Sequence, residues 1–250
     1  MRFKNRTAVI TGSTSGIGRL CAECLAREGA NVMLTGRNEE AHVLHEAVAA
    51  IQNAGGTASG LTGDVRRYDE VKRVVDAAAA QYGGVDILVC CAGGASARIF
   101  NCFREFQDVP IEHIDWGIDV NLKGALYYAH AAMHYMAHQN SGVVILIGSI
   151  SGEEGTDNSI DYAASKAALM GGGLKSLAQA GAPHHIRVCA VSPGPVLTRA
   201  AMGRMKTLLG RAAQPQEIVD MILYLASDQA AFITGANIMV DGGRSCMLPG

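Results

Sequence analysis

The sequence predicts an α/β fold, a doubly wound parallel sheet of about seven strands with helices on both faces, in a single domain. Three observations predict it. Apolar runs and helix-period stretches alternate from end to end, the order that lays parallel strands side by side through right-handed crossovers. Runs such as DILVCCA and GVVILIG are apolar at successive positions, as strands covered on both faces must be. The first run breaks into a glycine-rich turn that opens into a helix, the arrangement that cradles a phosphate at a helix N-terminus. A chain of 250 residues, 49% hydrophobic and 18% charged, fits one globular domain over 1–250 with a sizeable core.

Taken in order, TAVIT (Thr7 to Thr11) reads as the first strand. The turn Gly12-Ser13-Thr14-Ser15-Gly16-Ile17-Gly18 follows, and a helical pattern begins at Arg19. The later strands read as Asn31 to Thr35, Ala58 to Thr62, Asp86 to Cys91, Gly142 to Gly148, Ile186 to Ser192 and Ala236 to Val240. Helical patterns fill the gaps, notably Asp69 to Tyr82, His113 to His138, Tyr162 to Ala182 and Pro215 to Leu225. Ligands of such sheets bind beyond the carboxyl ends of the strands. Gly12, Ala92, Ser149 and Pro193 all follow strands, so they are expected to meet at one cleft.

Composition narrows the function. A net charge of −2 argues against broad nucleic-acid binding, which wants a basic face. No apolar run approaches the roughly 20 residues that span a bilayer. The start, MRFKNRTAVITG, runs straight into a strand and has no signal-peptide apolar region, so a cytoplasmic location is expected. Seven cysteines in a chain this long do not make a disulfide scaffold. Cys21 and Cys24 form a CxxC within the first helix, where packing is the expected role, and no second CxxC completes a zinc site.

The chemistry sits in Ser149, Tyr162 and Lys166. Tyr162 and Lys166 stand four apart in YAASK, one turn of helix from each other on one face. Ser149 closes the apolar run VVILIGS and brings a hydroxyl from a strand end. An ammonium beside a phenol favours its ionised form, so the set can move a proton on or off an alcohol oxygen.

Together with TGSTSGIG (Thr11 to Gly18), these residues resemble the short-chain dehydrogenase/reductase family, and the resemblance runs over essentially the whole chain. The matching pieces fall in family order. Gly12, Ser13, Thr14, Ser15, Gly16, Ile17 and Gly18 resemble the cofactor glycine motif. Asp64 and Val65 resemble the adenine-contacting pair, and Ala92 and Gly93 the turn that passes close to the cofactor. Asn121 in VNLKG resembles the active-site Asn, completing a tetrad with Ser149, Tyr162 and Lys166. SPGPVLT, with Pro193, Gly194, Val196 and Thr198, resembles the loop at the nicotinamide end, and VDGG the closing strand. One departure stands out: the family's Asn-Asn-Ala-Gly is here Cys90-Cys91-Ala92-Gly93.

The resemblance implies a Rossmann fold and an NAD(P)-dependent oxidoreductase. Tyr162 would be the general acid in reduction and the base in oxidation. Lys166 would assist it and bond the nicotinamide ribose. Ser149 would hold the substrate oxygen, and Asn121 would support a water that relays protons to Lys166. An NAD site usually has an acid about 20 residues past the glycines, for the ribose 2′-hydroxyl. Here that place reads Thr35-Gly36-Arg37-Asn38. An Arg fork suits a 2′-phosphate, so NADP(H) is the expected cofactor and NAD(H) the alternative.

The expected substrate is a free small molecule with a ketone or secondary alcohol. A 3-oxoacyl-carrier-protein reductase is the runner-up. The segments that often hold the acidic carrier read HYMAHQNSG and SLAQAGAPHHI, with no Arg or Lys. A non-catalytic nucleotide-binding regulator is a third reading. Glu153, Glu154, Asp157 and Asp161 suggest either a preference for cationic or polyhydroxylated substrates or a solvated loop. His130, His134 and His138 recur every four residues beside an apolar stripe, so a solvated or subunit-facing stripe is expected rather than a metal site. The small residues Ala163, Ala164, Ala167, Ala168, Gly171, Gly172 and Gly173 suggest close helix approach, and in the family such helices pair within a homotetramer. Gly94 to Pro110 is longer than in the common family pattern, and the lid from Thr198 to Arg211 is shorter. Phe100, Phe103 and Phe106 are spaced for one face of a short helix, either closing the substrate pocket or packing under their own loop.

Overall fold

A computed structural model describes residues 1–247. Strand β1 (Thr7–Thr11) is buried along its whole length, and the sheet grows from it in both directions. On one side lie β2 (Asn31–Leu34) and β3 (Thr57–Gly60). On the other lie β4 (Ile87–Cys90), β5 (Gly142–Ile147), β6 (Ile186–Pro193) and β7 (Asn237–Val240). The order is β3-β2-β1-β4-β5-β6-β7, and every pairing is parallel. The direction of growth reverses between β1 and β4, which opens a crevice at their carboxyl ends.

Side chains alternate across each strand, so the sheet feeds two cores. Ala8 and Ile10 of β1 join Val32 and Leu34 on one face. They meet α1 (Gly16–Arg27), α2 (Ala41–Asn53) and α10 (Pro215–Ala226). Val9 and Met33 join the other face, against α3 (Tyr68–Tyr82), α6 (Gly124–Gln139) and α9 (Gly172–Gly181). Cys21 and Cys24 are both buried in the first core, and Cys21 has its thiol pushed well up by burial. The remaining helices are short pieces around the crevice: α4 (Ser96–Ile99), α5 (Ile111–Ile118), α7 (Ser151–Glu154) and α8 (Ile160–Met170).

The structure departs from the sequence reading in four places. The first helix starts at Gly16 rather than Arg19, because the last residues of the glycine turn already wind into it. The stretch His113 to His138 is not one helix: α5 and α6 are joined through a π turn over Asp119–Lys123. The stretch Tyr162 to Ala182 divides at Gly171, whose φ of −112° and ψ of −117° leave the helical region. Three consecutive glycines make continuing that helix costly, at about 1 kcal/mol each relative to Ala. Finally, Phe100, Phe103 and Phe106 do not share a helix, since α4 ends before Phe100 and a separate 3-10 turn begins at Phe106.

Candidate active site

The cofactor half is built on bare backbone. Gly12 takes φ of +60°, and a Cβ there would stand 2.8 Å from Ala92 Cα. One on Gly18 would stand 2.4 Å from the Gly12 carbonyl oxygen. The end of β1, the start of α1 and the Ala92 turn therefore pack only because these positions lack side chains. Gly16 and Gly93 are exposed on the resulting floor. Thr198, from the loop after β6, brings its methyl within 3.8 Å of the place a Cβ would take on Gly16. Ser15 starts α1 at an exposed position and Ile17 packs on the first core. A helix N-terminus over an open, side-chain-free floor fits the phosphates of a dinucleotide.

Not every expected cofactor residue turns its side chain to that floor. Ser13 Oγ donates toward the carbonyls of Ile10 and Thr35, at 2.9 and 3.2 Å, and accepts from Thr35 N–H at 2.8 Å. It clamps the end of β1 to β2. Thr14 is buried against Gly36. Pro193 ends β6, Gly194 lies against Asp241, and Val196 is buried beside Ala213. These four shape the wall and leave its surface to backbone.

At the far end, Asp64 is gripped by Arg66, with Nη2 2.6 Å from its carboxylate, which holds the carboxyl below its usual range. Val65 packs on Gly124. Arg37 is exposed and pairs with Glu39 at 2.9 Å and Glu40 at 3.3 Å. The turn after β2 thus presents one guanidinium between two carboxylates of its own.

The Cys90-Cys91 departure is compensated elsewhere. Ala92 N–H donates to Thr11 Oγ1 at 2.9 Å. Asn121, fully buried in the π turn, accepts from Gly94 N–H at 2.9 Å and donates to the carbonyls of Gly94 at 3.0 Å and Gly117 at 2.8 Å. Both amide N–H groups are thereby spent on bracing, so any water relay through Asn121 must use a carbonyl oxygen. Burial pushes the Cys91 thiol up to about 12, and the Cys90 thiol is also raised. Neither is poised as a nucleophile. The sequence reading placed Thr11 at a strand end and at the head of the glycine motif, but did not give its hydroxyl this bracing role.

The catalytic half gathers at the end of β5. Ser149 is nearly buried, and its Oγ accepts from Ser151 N–H at 3.1 Å. Lys166 is buried, and its Nζ donates to the Ile147 carbonyl at 2.7 Å. The same Nζ lies 5.5 Å from the centre of the Tyr162 ring and 3.5 Å from the place a Cβ would take on Gly93. Ser149, Tyr162, Lys166 and Asn121 are therefore brought together beside the Gly93 floor.

The acidic loop is solvated only in part. Asp161 is buried: Oδ1 accepts from Ser96 Oγ at 2.8 Å, and Oδ2 packs against Gly117 without a hydrogen-bond partner. Glu154 pairs with Arg244 at 2.9 Å. Only Glu153 and Asp157 remain solvated without a bond to another element. In the insertion, Phe100 stacks on His113 with ring centres 4.0 Å apart and meets Trp116 edge-on. Phe106 and His113 line a small cavity of about 10 Å³ between the insertion, α5 and α8. Phe103 is left 66% exposed. On α6, His130 bonds Tyr68 and His138 bonds the His134 carbonyl.

Comparison with known proteins agrees with this fold. Residues 12–245 match the family model described as enoyl-(acyl carrier protein) reductase. The chain is 34% identical to a cis-4-hydroxycyclohexanecarboxylate dehydrogenase of Sinomonas cyclohexanicum, over 98% of each chain. It is 33% identical to the 3-oxoacyl-[acyl-carrier-protein] reductase FabG of Thermotoga maritima, over 97% of this chain and 99% of that one. A short-chain type dehydrogenase/reductase from Mycobacterium marinum superposes with a TM-score of 0.89 at 34% identity, covering 98% of this chain and 97% of that one.

Proposed function

The chain belongs to the short-chain dehydrogenase/reductase family and is an NAD(P)-dependent oxidoreductase, and on that premise we propose that it interconverts a small-molecule ketone and its secondary alcohol with NADP(H). The observation that carries this reading is the convergence of Ser149, Tyr162 and Lys166 at one strand end, with the Lys166 charge beside the Tyr162 ring.

A bound nicotinamide cofactor supplies the hydride donor or acceptor. The protein supplies the rest. The Ser151 N–H fixes Ser149 as acceptor, which leaves the Ser149 O–H to donate to the substrate oxygen and to stabilise charge developing there. Tyr162 delivers a proton to that oxygen in reduction and removes it in oxidation. Lys166 spends one of its three N–H groups on Ile147. The other two remain for the cofactor ribose and a proton-carrying water.

The NADP(H) preference is supported by Arg37 and by the absence of an acid at Thr35-Gly36. A 2′-phosphate would take the place of Glu39 and Glu40 as the partner of Arg37. The small-molecule reading is supported by the alcohol named for the Sinomonas relative, a hydroxyl on a cyclic carboxylate. The carrier-protein reading draws its support from the Thermotoga relative. We read the seven unpaired cysteines as fitting a reducing, cytoplasmic location. Among the described residues no helix is long and apolar enough to cross a membrane.

We also propose a homotetramer. Ala164, Ala167 and Gly172 are exposed along α8 and α9, and nothing approaches the Cβ position of Gly172. Light scattering is expected to give a tetramer that Gly172→Arg dissociates; an active wild-type monomer at micromolar concentration would count against it.

The test of function is loss of NADPH absorbance with a panel: cyclohexanone, 4-oxocyclohexanecarboxylate and its methyl ester, a steroid ketone, a sugar and a 3-oxoacyl thioester. Turnover of a free ketone faster with NADPH than with NADH is expected. Turnover of the thioester alone would favour the carrier-protein reading. No turnover of any member would sink the oxidoreductase assignment to carbonyl substrates.

A further inference from the structure

We propose that Asp161 is a positioning residue for the reaction: its carboxylate fastens the helix that carries Tyr162 to the Gly93–Gly94 turn, and so sets where the phenol stands over that floor. The proposal rests on the oxidoreductase reading above and adds to it a residue outside the expected tetrad.

Asp161 stands immediately before Tyr162, in the first turn of α8, and is only 5% exposed. Oδ1 accepts from Ser96 Oγ at 2.8 Å, a bond between buried groups 65 residues apart. Oδ2 fills the place a Cβ would take on Gly117. The main chain is held as well, since the Asp161 carbonyl accepts from Ser165 Oγ at 2.7 Å.

These contacts close a circuit. Ser96 lies two residues after Gly94. Gly94 N–H donates to Asn121 Oδ1, and Asn121 Nδ2 donates to the carbonyls of both Gly94 and Gly117. Gly117 abuts the Asp161 carboxylate, and Asp161 returns to Ser96. The circuit joins the turn after β4, the π turn, α5 and α8. Asn121 is a member of it, and Tyr162 is covalently next to Asp161. Lys166 Nζ lies 3.5 Å from the place a Cβ would take on Gly93, the neighbour of Gly94. In this circuit Asp161 is the member that belongs to the Tyr162 helix.

The inward turn of Asp161 has a cost that helix capping does not require. A buried carboxylate oxygen that no donor meets lowers stability, and Oδ2 is such an oxygen. An exposed acid in the same turn would offset the helix dipole without that cost. What the inward turn adds is the tie to Ser96. The division of labour along α8 is then clear. The Lys166 bond to Ile147 holds the second turn of the helix to β5, and Asp161 holds the first turn, where Tyr162 sits. Proton transfer needs the phenol at the oxygen that Ser149 also contacts, and a misplacement of about 1 Å costs on the order of 100-fold in rate.

The experiment uses the full-length protein, the ketone panel above, and the variants Ser96→Ala, Asp161→Ala, their double, and Asp161→Asn. Ser96→Ala and Asp161→Ala should each lower kcat about 10- to 100-fold. KM and NADPH Kd should stay within about 3-fold, the split expected when alignment rather than binding is lost. The double variant should be no slower than the slower single one, because both remove one tie. Asp161→Asn keeps the shape and an oxygen for Ser96, so it should retain kcat within about 3-fold. A lower Tm with unchanged kcat in Ser96→Ala and Asp161→Ala would make the tie structural only and overturn the proposal. So would additive losses in the double variant, or an Asp161→Asn as slow as Asp161→Ala. NMR of protein labelled at the tyrosine Cζ with ¹³C, bound to NADP⁺, reads the phenol without turnover. The Tyr162 resonance is identified by its loss in Tyr162→Phe. It should move or broaden in Ser96→Ala, where one distant oxygen is removed. A resonance unchanged in Ser96→Ala overturns the proposal, and a displaced one upholds it, even if no ketone in the panel is reduced and the reaction assignment fails alone.

Discussion

Lys166 Nζ donates to the main-chain carbonyl of Ile147, the last residue of β5 and two residues before Ser149. One strand end therefore places the hydroxyl directly and the ammonium by hydrogen bond. The relative position of these two groups does not depend on the loop between Ser149 and Tyr162.

Because that scaffold survives removal of a single oxygen, Tyr162→Phe should lower kcat by about 100- to 10,000-fold, the usual worth of general acid–base assistance. NADPH binding, followed by fluorescence, should stay near the wild-type value. A variant with near-normal kcat would remove Tyr162 from the proposed chemistry.

Cofactor choice should turn on Arg37. Arg37→Ala is expected to weaken NADPH far more than NADH, since only NADPH carries the 2′-phosphate. Glu39→Gln should strengthen NADPH, because Glu39 competes for the same guanidinium at 2.9 Å. The reversed preference is better sought with Arg37→Asp than with an acid at Gly36. A side chain at Gly36 would begin 2.4 Å from Thr14 Cγ2. Equal losses of both cofactors in Arg37→Ala would show that this residue does not read the phosphate.

The insertion's aromatic residues should separate by role. Phe100 is stacked on His113 and meets Trp116 edge-on, contacts of a kind worth about 0.5–1.5 kcal/mol beyond area burial. Phe100→Ala should therefore lower Tm by a few degrees, at roughly 2–4 °C per kcal/mol for a domain of this size. Phe103 has no such stack and is 66% exposed. Phe103→Ala should leave Tm unchanged and shift KM ratios across the ketone panel. A fall in Tm with constant KM ratios would make Phe103 structural as well.

The lid's far end carries a pH-dependent anchor. Arg211 grips both oxygens of Glu217, at 2.6 and 2.7 Å, and Gln214 N–H adds a third bond at 2.8 Å. The Glu217 carboxyl is held down to about 2 from an ordinary value of 4.5. A depressed acid contributes its stability above the ordinary value and loses it as pH falls toward the depressed one. Glu217→Gln should thus lower Tm at pH 7, and the gap from wild type should close as pH drops from 4.5 toward 2. A gap independent of pH would point to packing rather than charge.

The sheet was legible because β4 and β5 are covered on both faces and so read as unbroken apolar runs, ILVC and GVVILI. The candidate set was legible as a cluster because Tyr162 and Lys166 are local on one helix and Ser149 follows a strand end. What escaped depends on contacts distant in sequence or on irregular backbone. Asp161 turns inward because Ser96, 65 residues away, takes its oxygen. The helix break at Gly171 was signalled by its glycines, but small residues also pack between helices, and composition alone does not distinguish the two.

The π turn over Asp119–Lys123 acts as a phase shifter. An α-helix advances about 100° per residue, so one extra residue in a turn rotates everything beyond it by that angle. Upstream, Gly117 faces Asp161 of α8. Downstream, Tyr128, Ala129, Ala132 and Met136 face the sheet. A regular helix through this region could satisfy one of these facings and not both. Deleting a single residue of the turn should therefore act less like a local defect than like a gear slipped by one tooth: either α6 loses its seat on the sheet or Asn121 swings away from Gly94, and the floor beneath the reacting groups goes with it.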